Sequence, residues 1–199
     1  MSCELLASNL VPHGNLEFRT PPHLANCAEL YVSDSARLII TSNFSIGQRS
    51  KVKLAPHSAL IVGANSWIES DCIVDVNGFA QIGDVTTIQK GCFLLGSFTI
   101  GSGTLIAPNV FISSGKHHYN EWFNLSIREQ DKLFEEAYGR GYSNPVEVGD
   151  DCWIGYGVVI MPGVIIGNGS VIGANSVVTK PVPPRMVYAG SPARPIKHR

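Results

Sequence analysis

The chain has 199 residues, of which 44% are hydrophobic and 16% charged, with a formal net charge of −1. That content supports one packed domain and gives no general attraction to nucleic acid or to an anionic membrane surface. The opening stretch MSCELLASNLVPHGN lacks a basic segment followed by a sustained apolar one, and no run approaches the length of a membrane span, so a cytoplasmic protein is expected.

Residues 1–39 show no regular period and are expected to form an irregular N-terminal segment. A repeat domain follows over 40–180. Ile40, Ile46 and Val52, then Val62, Ile68 and Val74, are spaced by six, with phase slips between the blocks that read as corner insertions. From Ile82 the step of six continues through Ile88, Leu94, Ile100, Ile106 and Ile112, and resumes at Val148, Ile154, Ile160, Ile166, Ile172 and Val178. The fourth residue after each aliphatic one is usually small or β-branched, as at Thr86, Cys92, Thr104, Val110, Cys152, Val158, Val164, Ser170 and Ser176. A helix turning about 100° per residue cannot keep every sixth side chain on one face, whereas a short strand with a turn every six residues can. Three such sides make one triangular coil, and stacked coils pair as parallel sheets. The expected fold is all-β: a parallel β-helix of about six coils, roughly 29 Å long at about 4.8 Å per coil.

The period is interrupted over 113–147, a length that structureless loops rarely reach without a role. The insertion opens with GKHHYNEWFN, carries LSIREQDKLFEEAY over 125–138 as a short helix, and ends near Pro145, which stops a helix before the next strand. His117 and His118 are the candidate bases, because imidazole takes a hydroxyl proton near neutral pH. His13, His23, His57 and His198 lack any metal-ligand spacing, so no metal is expected. The five cysteines form no CxxC pair and read as reduced thiols. Cys92 and Cys152 fall on the small inward positions, which argues against a thiol nucleophile.

The stretch WIGYGVVIMPGVIIGNGSVIGANSVVTKPVPPRMVYAGSPARPI, residues 153–196, resembles the end of the left-handed β-helix of hexapeptide-repeat acyltransferases, nearest the galactoside, maltose and xenobiotic acetyltransferases. The resemblance implies left-handed coils, acetyl-CoA as co-substrate, and a homotrimer with active sites between subunits. The exposed aromatics of the insertion also suit a partner surface. In this family the catalytic histidine falls eleven residues after the Ile of an IAPNV hexapeptide. Counted from Ile106 that is His117, with His118 the rival. The family motifs also carry coenzyme contacts over to Trp153, Tyr156, Ala174, Lys180, Arg194 and Lys197. Tyr156 departs from the small residue usual at its position. Residues 181–199 form a tail after the last coil. The expected acceptor is a hydroxyl of a sugar or polysaccharide precursor, with Asp75, Asn77, Asn120 and Trp122 as candidate contacts; transfer to an amine and a non-catalytic scaffold are the alternatives.

Overall fold

The computed structural model describes residues 10–12, 14–138 and 144–199; Cys3, His13 and the stretch 139–143 that closes the insertion lie outside the described residues. All twelve aliphatic positions of the strict repeat are buried, from Ile82 through Val178, as are the nine small positions that accompany them. They line the inside of a parallel β-solenoid of about seven turns. Each turn has three faces. The first includes Lys51–Leu54, Phe111–Ser113, Val159–Ile160 and Val177–Val178. The second includes Ala59–Val62, Val146–Val148 and Ile165–Ile166, and the third Trp67–Ile68, Leu105–Ile106, Trp153–Ile154 and Val171–Ile172.

Register follows from this stacking. In the lower part of the prism each inward residue lies over the one 18 positions later, as in Ile160 over Val178 and Ile154 over Ile172. The small residue at the corner is also a connector between coils. Ser66 Oγ accepts from Thr86 N and donates to the Gly83 carbonyl, and Thr104 Oγ1 accepts from Cys152 N and donates to the Gly149 carbonyl. A buried turn leaves backbone groups that need partners, and a short hydroxyl satisfies two of them without widening the coil.

Two expectations are corrected. The segment 1–39 is not irregular throughout: Asn15–Phe18, Glu29–Val32 and Arg37–Ile40 are strands paired in register with later coils. Leu30, Val32, Leu38 and Ile40 are all buried there. Nor are the phase slips simple corner insertions. Leu30 pairs with Val52, and Val52 with Val74, in steps of 22; Val74 to Leu94 is a step of 20, and Leu94 to Ile112 one of 18. The wide coils have four-residue strands on two faces, each burying two side chains, as Val52 with Leu54 and Leu60 with Val62. Residues added in pairs keep the strand's in-and-out alternation, so a search at a fixed step of six loses the repeat although its physics is unchanged.

The narrowing happens at one edge of the prism, between the first and second faces. Residues 55–58 form that corner in a wide coil; in the next, the chain runs as one strand Ile73–Ile82 with a register shift between Val76 and Ala80; in the third, Phe93–Ile100 bends at Gly96. Serines tie this edge together: Gly78 N donates to Ser58 Oγ, Phe79 N to Ser97 Oγ, and Ser97 N to Ser114 Oγ. The insertion leaves from the same edge. Its stem is closed where Asn144 N donates to the Ser114 carbonyl at 2.9 Å. Leu105 pairs with Trp153, 48 positions on, so one coil has taken up 30 additional residues without disturbing those above and below. Phe111–Ser113 and Val146–Val148 remain strands, so the outgrowth is narrower at both ends than the expected 113–147.

At the C-terminal end, Met186–Ala189 adds a parallel rung to the third face, and Arg194–His198 folds back antiparallel upon it. Val182 makes a single bridge to Ile166 on the second face. The Arg199 guanidinium donates to the carbonyls of Asp151 and Gly169. Among the described residues no helix is long and apolar enough to cross a membrane.

Gly96 has φ +91°, and a Cβ there would meet Ser114 Oγ; Gly103 has φ +67° but open space around it. Gly96→Ala is therefore expected to destabilise by about 1–3 kcal/mol and by more than Gly103→Ala, as read from urea midpoints. Equal losses would contradict the close approach at this edge.

Candidate active site

The insertion is built around one helix, α1, Ile127–Tyr138, within the stretch expected to be helical. Ser126 caps it: the Glu129 N–H donates to Ser126 Oγ, while Glu129 Oε2 accepts from the Ser126 N–H at 2.8 Å. These two reciprocal bonds are a capping box and set the start of the helix. Gln130, Asp131, Phe134 and Tyr138 then fall on one side of it. That side grips the segment 117–122. Gln130 Oε1 accepts from the N–H groups of both Glu121 and Trp122, and its Nε2 donates to the Leu125 carbonyl.

The two histidines have different surroundings. His118 is buried, its ring stacked on Phe134 with centroids 3.5 Å apart and planes 12° from parallel. Its Nδ1 lies 3.1 Å from Glu121 Oε1. The side chain of His117 is 83% exposed, and its Nδ1 lies 2.7 Å from Asp131 Oδ2. Asp131 Oδ1 also accepts from the His118 N–H at 2.7 Å. That N–H first, and then the His117 ring, hold the Asp131 carboxyl below its ordinary range. The His118 ring does the same for Glu121. An ionised carboxylate only accepts hydrogen bonds. A neutral imidazole that donates to such a carboxylate does so from Nδ1 and keeps its lone pair on Nε2. For His117 that lone pair can be reached from solvent; for His118 the ring is covered.

The Cys92 and Cys152 thiols are unsuited to nucleophilic work. Cys92 is fully buried, and hydrogen bonding with Cys72 together with burial pushes its thiol well up; burial raises that of Cys152. A thiol held protonated is a poor nucleophile. Among the described residues no three His, Cys, Asp or Glu side chains converge as a metal site.

The remaining candidates fall on two edges of the prism. Trp153 projects from the third face and is exposed, in register between Leu105 and Val171. Tyr156 lies at the following corner, between the third and first faces, and its carbonyl accepts from Asn175 N beside Ala174. The Tyr156 hydroxyl, absent from the usual family pattern, accepts from Asn109 Nδ2 at 2.8 Å. Arg194 and Lys197 are exposed on the closing strand, which continues the third face. Lys180 stands apart from them, following Val177–Val178 on the first face and preceding the Val182 bridge on the second. It therefore shares the edge from which the insertion grows. Asp75 and Asn77 lie along that edge as well, and the Asn77 carbonyl accepts from Ser97 Oγ, one rung from Ser114. Asn120 and Trp122 are held in the insertion through Glu121 and Gln130. One chain thus gathers His117, His118, Asn120 and Trp122, with Asp75, Asn77 and Lys180 along their edge, and keeps Trp153, Tyr156 and Ala174 on another face and corner.

Asp131, Gln130 and Phe134 escaped the sequence reading. The capping box Ser126-x-x-Glu129 was the signal that fixes which residues of α1 share a side.

The family model described as bacterial transferase hexapeptide (six repeats) matches residues 145–180. Galactoside O-acetyltransferase of Escherichia coli K12 is 38% identical over 138 residues, which are 68% of this chain and 62% of that protein. The chain therefore covers less than two thirds of that relative's length. A Dictyostelium discoideum protein provisionally named an acetyltransferase is 31% identical over 167 residues, covering 83% of this chain and 82% of that one. The crystal structure of the polySia-specific acetyltransferase NeuO superposes with a TM-score of 0.71 at 25% identity, over 92% of this chain and 75% of that one. The chain belongs to the hexapeptide-repeat acetyltransferase family, and its solenoid is the left-handed β-helix of that family.

Because His118 is packed and His117 is not, His118→Ala is expected to lower the thermal midpoint clearly, since a buried group that loses its partners costs about 1–3 kcal/mol. His117→Ala should lower it less. A melting series of the two variants checks this ordering.

Proposed function

We propose that the protein transfers an acetyl group from acetyl-CoA to a hydroxyl of a sugar, free or within a polysaccharide precursor, with His117 as general base. The observation that carries this reading is the His117 imidazole: Nδ1 is anchored 2.7 Å from Asp131 while the ring stays open to solvent. Its place beside the edge that bears Asp75 and Asn77 gives an acceptor neighbouring polar groups.

His117 Nε2 takes the proton of the acceptor hydroxyl as that oxygen bonds to the thioester carbonyl carbon. A backbone N–H at a coil corner stabilises the resulting oxyanion. Collapse breaks the carbon–sulfur bond, and the imidazolium returns its proton to the departing thiolate, leaving an acetyl ester and free CoA. The donor rests on the motifs that carry Trp153, Tyr156, Ala174, Lys180, Arg194 and Lys197. A sugar acceptor draws support from the names of the E. coli relative and of NeuO.

The division of these residues between two edges favours a ring of copies. If the edge with His117 and Lys180 of one copy faces the Tyr156 and Ala174 corner of the next, each junction holds a complete set. A head-to-tail contact of this kind must close by rotation, and a homotrimer is the closure expected for this family.

The test is release of free thiol from acetyl-CoA against a panel of mono- and oligosaccharides, with matched amino-sugars to separate oxygen from nitrogen acceptors. Acceptor-dependent release should fall by about 10²–10⁴-fold in His117→Ala with the fold intact. Retained transfer in that variant overturns the base. Transfer to the amine alone overturns the hydroxyl acceptor.

A further inference from the structure

Resting on that reading of His117, we propose that Asp131 is the positioning residue of the reaction: its carboxylate fixes the tautomer and orientation of the His117 ring, and α1 exists in the insertion to deliver it. Three observations support this. The carboxylate is divided between two consecutive residues, one oxygen 2.7 Å from His117 Nδ1 and the other 2.7 Å from the His118 N–H. A bridge of this kind sets the ring relative to its own backbone, which a single contact to an exposed side chain would leave free to swing.

The carboxylate is itself held from both ends of its helix turn. The Ser126–Glu129 capping box fixes the start of α1, and Gln130, the residue before Asp131, is buried and bonded to Glu121, Trp122 and Leu125. The His118 ring is seated on Phe134, four residues after Gln130. Its imidazole thus has a packing role, fastening the loop to α1 while the neighbouring ring stays accessible. The two adjacent histidines divide the work: one anchors and the other faces the acceptor.

The chemistry requires such a restraint. A neutral imidazole can carry its proton on either nitrogen, and only the form protonated at Nδ1 presents Nε2 as a base. Asp131 selects that form and stabilises the imidazolium that develops during transfer. It does not itself take the proton. No substrate need touch it, so its removal should reduce turnover and leave coenzyme affinity unchanged.

The discriminating variant is Asp131→Asn. Two donors, His117 Nδ1–H and His118 N–H, meet two carboxylate oxygens, and an amide has only one oxygen to offer. The backbone N–H, which cannot change its protonation, keeps that oxygen. The amide nitrogen then faces His117 Nδ1 and drives the ring to the Nε2–H form. The expected result is a loss in kcat of about 10²-fold with KM for acetyl-CoA unchanged. In nitrogen-15 NMR, the His117 resonances should move from the Nδ1–H pattern in the wild type to the Nε2–H pattern in the variant. A merely structural role for Asp131 would not produce that exchange of tautomer.

The NMR of the wild type decides the matter even if the variant folds poorly: a His117 ring found mainly as the Nε2–H form overturns the proposal. So does wild-type kcat in Asp131→Asn while His117→Ala is inactive, and that outcome leaves the base assignment standing. Full activity in His117→Ala instead removes the base and Asp131's role with it.

Discussion

Everything in this protein depends on in-register stacking of flat parallel strands about 4.8 Å apart. Each inward side chain rests on its counterpart in the next coil, as along the column Ile68, Ile88, Ile106, Ile154 and Ile172. A coil cannot change its perimeter freely, because its neighbours hold it by hydrogen bonds on three sides. It can add residues in pairs along a strand, or it can release chain at a corner. Both are used here. The second is concentrated on one edge, where the corner contracts, then bends at Gly96, then opens into the insertion at Ser114. The site grows where the register tolerates it.

This explains how much could be read from the sequence. Ile82 to Val178 were legible because burial on all three faces demands an aliphatic residue at every sixth place, and these positions are buried in the structure. The coils before Ile82 were partly missed because their wider perimeter breaks a fixed step while leaving the alternation intact; Leu38 obeys the second rule and not the first. The outline of the candidate site was legible in motifs: IAPNV pointed to His117, and the closing hexapeptides to Tyr156 and Ala174. Asp131 was not. It lies 14 residues from its partner and meets it only because α1 folds back over the loop. No local period reports such a closure. The Tyr156 to Asn109 bond spans 47 residues because the insertion lies between two turns that are neighbours in space.

Placing the proposed base on the insertion and the coenzyme candidates on the coils separates two demands. The coils are rigid, with main-chain bonds on every rung and small buried side chains filling the corners, which suits an extended ligand. The insertion is held by a few side chains of one helix, so its residues can vary without cost to the core.

The C-terminal hairpin has a consequence for solubility. A solenoid ends in a row of unpaired strand edges, and such an edge is a template for strands of other molecules. Here Arg194–His198 reverses direction against Met186–Ala189, and Pro181, Pro183 and Pro184 remove three amide donors from the last turn. A strand arriving from another molecule would meet a reversed strand and an incomplete set of donors on that side. That side is therefore a weaker template than an open parallel rung would be.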